Sequence, residues 1–403
     1  EPPETTVSFT GPIFTDSQGI LFIASKTAIS LEGIDAIVED ALTSEVAFTG
    51  FLVDQTVQNV NQLNAFISTF TLSAGNHTIV FASSDNANNA EAVRSLSLFI
   101  DAQAPSITPQ SLRADGSLEV SPWKNTRNFI VTFVSSDNAS GVTGAFAKLG
   151  SPPIAPLDGD FFPSTSSVVF SSTGITQGGN PLYVWLIDNV GNVDHNNFGV
   201  VQLRYDAEVP VSTASVTPST FSMGSIPVAF TSLDNNGITG SGQIEKTLLW
   251  VSSDSKDNGF FGDWYPAQTH VSQTTGVFLL NTQGFEGNYR FYAQTFDTAG
   301  NFEAPPVSTS VPKAFAFFDA SFPVISNTKT PLIASNFVQV TWNTDDNTTA
   351  AVEYSTDSAF SPNATHIKTV SVSTRSHSAV LDCSVLSPAR IFFRIKAKNK
   401  SGL

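Results

Sequence analysis

A chain of 403 residues is too long for one compact core, and at ~100 to 150 residues per domain it divides into three or four. Its 19 Lys and Arg against 35 Asp and Glu leave a net charge of −16, which argues against partners held by their phosphates, nucleic acid and anionic lipid alike. The single cysteine, Cys383, excludes an intrachain disulfide, an iron–sulfur cluster and a cysteine-built zinc site, and no run of ~18 apolar residues exists to span a membrane.

Charged residues make up 13% of the chain and hydrophobic residues 41%, with 33 Phe and abundant Ser, Thr and Asn. That balance predicts a β protein whose surface is wetted by hydroxyls and amides. The opening Glu1-Pro2-Pro3-Glu4-Thr5-Thr6 lacks the basic and apolar regions of a signal peptide, so a secreted form would already be processed. Next, residues 28–31 read as a strand running to a turn at Asp35, and residues 34–42 are the one segment that admits a short helical turn. Alternating residues 78–81 then lead into Asp85-Asn86-Ala87-Asn88-Asn89-Ala90-Glu91, and the unit closes on Asp101 to Pro105.

The same succession follows twice more in full, and its opening strand and turn a third time. Residues 129–133 run to Asp137, 182–186 into Asp188-Asn189-Val190-Gly191-Asn192-Val193-Asp194, and the unit closes on Asp206 to Pro210. Residues 228–230 run to Asp234, 289–293 into Asp297-Thr298-Ala299-Gly300-Asn301-Phe302-Glu303, and Asp319 to Pro323 ends the third unit. In the fourth, residues 338–342 run to Asp345. The leading Asp of the hairpin motif recurs after 103 and 109 residues, and the closing Asp after 105 and 113. Two independent markers keep one period, which defines the folding unit.

Period-2 strands in units of this length predict four tandem antiparallel β-sandwiches, residues 1–105, 106–210, 211–323 and 324–403. Propeller blades would repeat in less than half that length. Short junctions with Pro opening the next strand leave little room to flex, so an elongated array is expected. With strands of ~8 to 10 residues each sandwich would be roughly 30 Å long, and four would reach on the order of 120 Å.

The run from Tyr289 to Glu303 resembles the penultimate strand and hairpin of bacterial immunoglobulin-like surface domains, and residues 75–85 look similar. The last unit resembles fibronectin type III through residues 340–342, 351–354, 379–381 and 393–399. The resemblance implies an all-β, immunoglobulin-like or fibronectin type III-like tandem array on secreted and cell-surface proteins, and names no ligand. Ile391 stands where such domains place the corner tyrosine, so that hydrogen bond is expected to be missing from the fourth unit.

Aspartate, Asn and Glu oxygens at the spacing of the hairpin motif could ligate calcium. Turn capping explains them more simply, with Gly191, Gly300 and Asn192 or Asn301 taking positive φ, so no metal and no cofactor are expected, the alternative being calcium at loops between domains. His77, His195, His270, His366 and His377 show no metal-binding spacing, and no nucleophile elbow, phosphate loop or dinucleotide fingerprint occurs, so no catalytic residues are assigned and the chain is read as not an enzyme. Cys383 reads as a semi-buried filler. Trp185, Trp250 and Trp342 read as core; Trp123, Trp264, Tyr265 and the Gly259-Phe260-Phe261-Gly262 turn are less constrained and could stack on sugars. Sequons begin at Asn76, Asn138, Asn347, Asn363 and Asn399.

The fourth unit accounts for six strands and halts at Ser401-Gly402-Leu403, where the turn into a seventh would begin. Its strand over residues 392–398 would then present an open edge. A larger protein could supply the missing strand, a neighbouring copy could donate one through residues 1–10, or the edge could simply be tolerated. The expected role is an extracellular stalk, adhesin segment or fibre subunit that self-associates or meets other surface proteins; the alternative is a glycan-binding accessory region of a secreted enzyme.

Overall fold

The computed structural model describes all residues except 36–43, 119, 235–242, 256–257 and 387–389. They form two compact units, Glu1–Ala207 and Glu208–Leu403. Among the described residues the helices are two single 3₁₀ turns, Val60–Gln62 and Pro362–Ala364, and all other regular structure is strand. Neither turn was anticipated: the first is held by the reciprocal bonds of Asn59 and Gln62. The expected helical turn over 34–42 lies outside the described residues beyond Asp35, and Ile34 ends the strand Ala28–Ile34.

In the first unit, residues 4–101 and 106–205 share no sheet. The first repeat sets Glu4–Thr10 against Ala28–Ile34 over a six-stranded sheet, and Ile23, Ile29, Ile79, Leu98 and Ile100 fill the space between. The second repeat faces a four-stranded sheet with a five-stranded one around Phe129, Val131, Leu182, Val184 and Leu203. In the second unit, residues 211–318 form a three-stranded and a five-stranded sheet over Val228, Phe278 and Phe291. These are tandem β-sandwiches, with alternating burial along strands such as Gly287–Asp297.

The central strand of each of these repeats is built alike. Gly75–Asp85, Gly178–Asp188 and Gly287–Asp297 are each 11 residues, open on a glycine with φ of +124°, +109° and +125°, and close on the motif aspartate. At Gly287 a Cβ would lie 2.2 Å from the Asp254 carbonyl oxygen, so the position requires glycine. The next strand pairs with it antiparallel, and that strand's far edge takes a short parallel partner: Leu21–Ala24, Val120–Lys124 or Thr220–Phe221. The sequence reading expected antiparallel pairing throughout. The parallel pairs arise because an early segment in each repeat leaves one sheet to seal the last strand of the other.

The fourth repeat differs. One 19-residue strand, Phe337–Ser355, pairs along its length with His366–Asp382, and Ile325–Lys329, Leu332–Ala334 and Phe392–Lys398 complete the sheet. Register breaks between Asn343 and Ala350 let it turn, so Trp342 from its first half shares one core with Val352 and Tyr354 from its second.

Burial corrects one core assignment. Trp185 and Trp342 are fully buried, Trp185 stacked on Phe146 with its indole N–H given to the Pro156 carbonyl. Trp250 is only half-buried, because its position falls on the outer face of Ile244–Asp254, where it donates to Gln294. Cys383 is partly buried against the Trp342 core as expected. Ile391 also packs there, while the third repeat carries a tyrosine-corner bond that the sequence reading missed: Tyr289 Oη donates to the Phe285 carbonyl.

Candidate functional site

The hairpin aspartates do the work expected of turn caps. Asp85 Oδ1 accepts the N–H of Ala87 and Asn89 at 3.0 and 2.7 Å, and Asn89 Nδ2 donates to Oδ2 at 2.7 Å. Asp188 binds Val190 and Asn192 in the same way, and Asp297 binds Asn301. Positive φ falls on Gly191 and Gly300 but not on the following asparagines; in the first copy Asn88 takes it, at +66°. The glycine or asparagine three places after the aspartate is therefore the residue under backbone constraint.

The acid that ends the motif has a separate task. Glu91 accepts the backbone N–H of Ser83 at 2.8 Å and of Thr5 at 3.1 Å, which pins the first strand onto the central one. Glu303 does the same between Thr295 and Ser212, at 2.9 and 3.0 Å, and also binds Lys313 at 2.7 Å. Burial lowers the pKa of the Lys313 ammonium against the pull of Glu303. In the second repeat the residue is Asp194, one methylene shorter, and it caps its own turn at Asn196.

Three markers that the sequence presents separately converge within the first unit. Carboxylate oxygens of Asp101, from the closing motif, Asp137, from the turn, and Asp188, from the hairpin, lie within 4.8 Å of one another. Asp101 is 0% and Asp188 1% exposed. Asp101 accepts the N–H of Gln103 and Ser140, and Asp137 Oδ2 those of Ala139 and Gly141. Oδ1 of Asp137 is buried with no hydrogen bond. Asp188 is pushed up to about 6 by burial, opposed by bonds from Asn192 and Val190, with the charge of Asp101 adding to the rise. Beside the acids, Phe22, Ala24 and Val190 form an apolar cluster with Phe14, Phe99 and Ala139, tying the two repeats of this unit together. Three carboxylates at this spacing are donors that suit a hard divalent cation. The sequence reading gave the acids to their turns, with calcium at loops between domains as the alternative, and did not group these three because their separations, 36 to 87 residues, carry no local signal.

In the second unit an amide stands in the matching place. Asn399 opens a turn with the bonds of the aspartate hairpins: its Oδ1 accepts the Leu403 N–H at 2.9 Å, its N–H goes to the Leu403 carbonyl, and Gly402 donates to its own carbonyl. Its Nδ2 donates to Asp319 Oδ2 at 2.8 Å and to the Ser321 carbonyl at 2.9 Å. Burial raises the pKa of the Asp319 and Asp346 carboxyls, and neighbouring acids add to the rise. Asn399 is buried, so of the five sequons only those at Asn76, Asn138, Asn347 and Asn363 are exposed in the fold.

One histidine enters a triad-like arrangement. Ser73 Oγ is 3.5 Å from His77 Nε2, and His77 Nδ1 is 2.8 Å from Asp54 Oδ2. Nε2 is closer, at 2.9 Å, to the carbonyl oxygen of Ser73. Nδ1 thus faces a carboxylate and Nε2 lies closer to a carbonyl oxygen than to the serine hydroxyl, which is not the geometry of a base set to take the serine proton. His377 stacks on Trp342, His366 on Tyr354, and His270 against Phe278. The histidines are scattered, as expected.

The aromatic loops are partly spoken for. Trp264 gives its indole N–H to the Val307 carbonyl, and the Arg290 guanidinium lies over both Trp264 and Phe261. Phe260 is 82% exposed.

No family model and no curated protein matches the sequence. Among solved structures the chain is similar to a Ca²⁺-stabilised adhesin with which an Antarctic bacterium binds ice, at 12% identity over 98% of both chains with a TM-score of 0.29. It is also similar to fibronectin(III)-like modules of Clostridium thermocellum CbhA, at 9% identity over 50% of this chain and 95% of that one, TM-score 0.28. Domains FN1–FN3 of chicken CNTN1 match at 14% identity over 74% and 94%, TM-score 0.25.

Proposed function

We propose that the chain is a non-enzymatic extracellular spacer or adhesive array of four β-sandwich domains, 1–105, 106–210, 211–323 and 324–403. One observation carries the reading: the acids that recur along the sequence are committed to holding strands, turns and repeats together, Asp188 and Glu303 being examples. Such a chain works through geometry, presenting its surface at a fixed distance from an anchor. Small-angle scattering on the full chain tests it. A rod-like profile on the order of 120 Å is expected, and a near-spherical particle overturns it.

The fourth domain supports assembly by strand addition. In the other three, the strand opened by glycine is paired on both sides, whereas among the described residues Phe392–Lys398 pairs only with Phe337–Ser355. Its free edge suits a further strand, from a longer chain or a second copy. Donation by residues 1–10 would have to break the pairing of Glu4–Thr10 with Ala28–Ile34 and the clamp on Thr5. Electron microscopy of the chain with and without its first ten residues tests this: filaments that survive the deletion point to another donor.

A further inference from the structure

The third repeat is elaborated where the first two are plain. The strand outside Ile244–Asp254 is Tyr265–Val271, seven residues long, where its counterparts are Asn64–Ala65 and Asp160–Phe162. The start of this strand and the turn before Gly287–Asp297 line an open cavity of about 630 Å³, the size of a small-ligand site. Tyr265, 48% exposed, and Phe285, 65% exposed, line it, and the rest of the lining is predominantly hydroxyl and amide side chains, with no charged residue among the described residues.

The cavity is also built. Asn281 Oδ1 accepts the Gln283 N–H at 2.8 Å, Phe285 N–H reaches the Thr282 carbonyl, Tyr289 Oη holds the Phe285 carbonyl, and Gln268 Nε2 donates to the Leu279 carbonyl at 2.8 Å. These bonds fix the rim before any ligand arrives. The side-chain amide of Gln283, Nδ2 of Asn281 and the Ser255 hydroxyl have no hydrogen-bond partner among the described residues.

We propose that this cavity binds a segment of neutral polysaccharide. A sugar ring offers an apolar C–H face, which the two exposed rings can cover, and hydroxyls that both donate and accept, which free amides and hydroxyls match. An uncharged lining on a chain of net charge −16 selects against acidic glycans. An extended peptide would bring charged side chains, for which the described lining offers no partner. The inference gives the adhesive reading a ligand and rests on that reading only for its biological setting.

Affinity electrophoresis of the full chain tests it, in gels containing xylan, mixed-linkage β-glucan, galactomannan or dextran, with polygalacturonate and gelatin as acidic and polypeptide counterparts. Retarded migration in at least one neutral polysaccharide is expected. Tyr265→Ala and Phe285→Ala should each weaken it about tenfold, and Gln283→Ala, which removes an exposed side chain from the lining, should weaken it without altering the circular dichroism spectrum. Met223→Ala, exposed and outside the cavity, should leave it unchanged. Unchanged migration in every neutral polysaccharide, retardation only by polygalacturonate or gelatin, or retardation that persists in the Tyr265→Ala/Phe285→Ala double variant overturns the proposal. Scattering from the same samples reads the array independently of binding.

Discussion

Asn399 gives an Nδ2 hydrogen to Asp319 at 2.8 Å in a turn whose counterpart, in the second repeat, begins with Asp188 and sets three carboxylates together. In both turns the side-chain Oδ1 accepts the N–H four residues on, so the turn itself accepts either residue. What the exchange alters is charge: an amide satisfies a buried carboxylate, and a carboxylate repels one.

Asp188→Asn should therefore make the first unit less sensitive to pH. The native pKa, about 6, lies above the ordinary 3.8, so the folded chain binds more proton between these values. Stability from this group is present at low pH and lost as pH rises from about 4 to 6. With chelator present, calorimetry should show the variant gaining on the wild type across that window. A constant difference would mean that Asp188 titrates normally.

Calcium should act on the same acids. A cation bound by Asp101, Asp137 and Asp188 relieves repulsion that protons relieve only in acid, and ligation of the folded state raises the melting temperature by mass action. Addition of Ca²⁺ after chelation is expected to raise it, and Asp137→Asn to shrink the effect. An unchanged melting temperature would leave the backbone N–H groups and the Asn192 amide to relieve the acids without a cation.

Glu303→Ala should destabilise the third repeat more than Glu91→Ala does the first. Both strip acceptors from two strand N–H groups and remove a carboxylate from a cation, but Arg94 beside Glu91 is 41% exposed, whereas Lys313 beside Glu303 is 18% exposed and keeps only the neutral Ser212 hydroxyl and Ala293 carbonyl. Losses of about 3 to 5 kcal/mol for Glu303 and about 1 to 3 kcal/mol for Glu91 are expected from denaturant midpoints.

Edge protection gives a further test. Gln268 and His270 reach across from one sheet to the Leu279 and Val277 carbonyls on the free edge of Thr275–Leu280, at 2.8 and 3.2 Å. Val277 and Leu279 are themselves exposed. Replacing both Gln268 and His270 by Ala uncovers an apolar strand edge, and faster aggregation by light scattering is expected with little change in melting temperature.

Removing Trp185 should cost about 3 to 5 kcal/mol and Trp250 clearly less, because the first is fully buried and the second half-buried. Equal losses by chemical denaturation would contradict the burial of the two faces.

Much of this protein was legible in the chain. Period-2 alternation places Val228, Phe230, Phe291 and Ala293 inside because a strand has two faces and only one is buried. The Asp-led hairpins are equally readable, since their bonds span two to four residues. The tertiary structure decided what is distant. It alone brings Asp101 to Asp188, gives Glu91 the N–H of Thr5, turns Trp250 outward, and joins Tyr265 to Phe285 around one cavity. Each depends on which strands lie side by side, and local residue patterns do not record that pairing because it is set by the closure of the sheets.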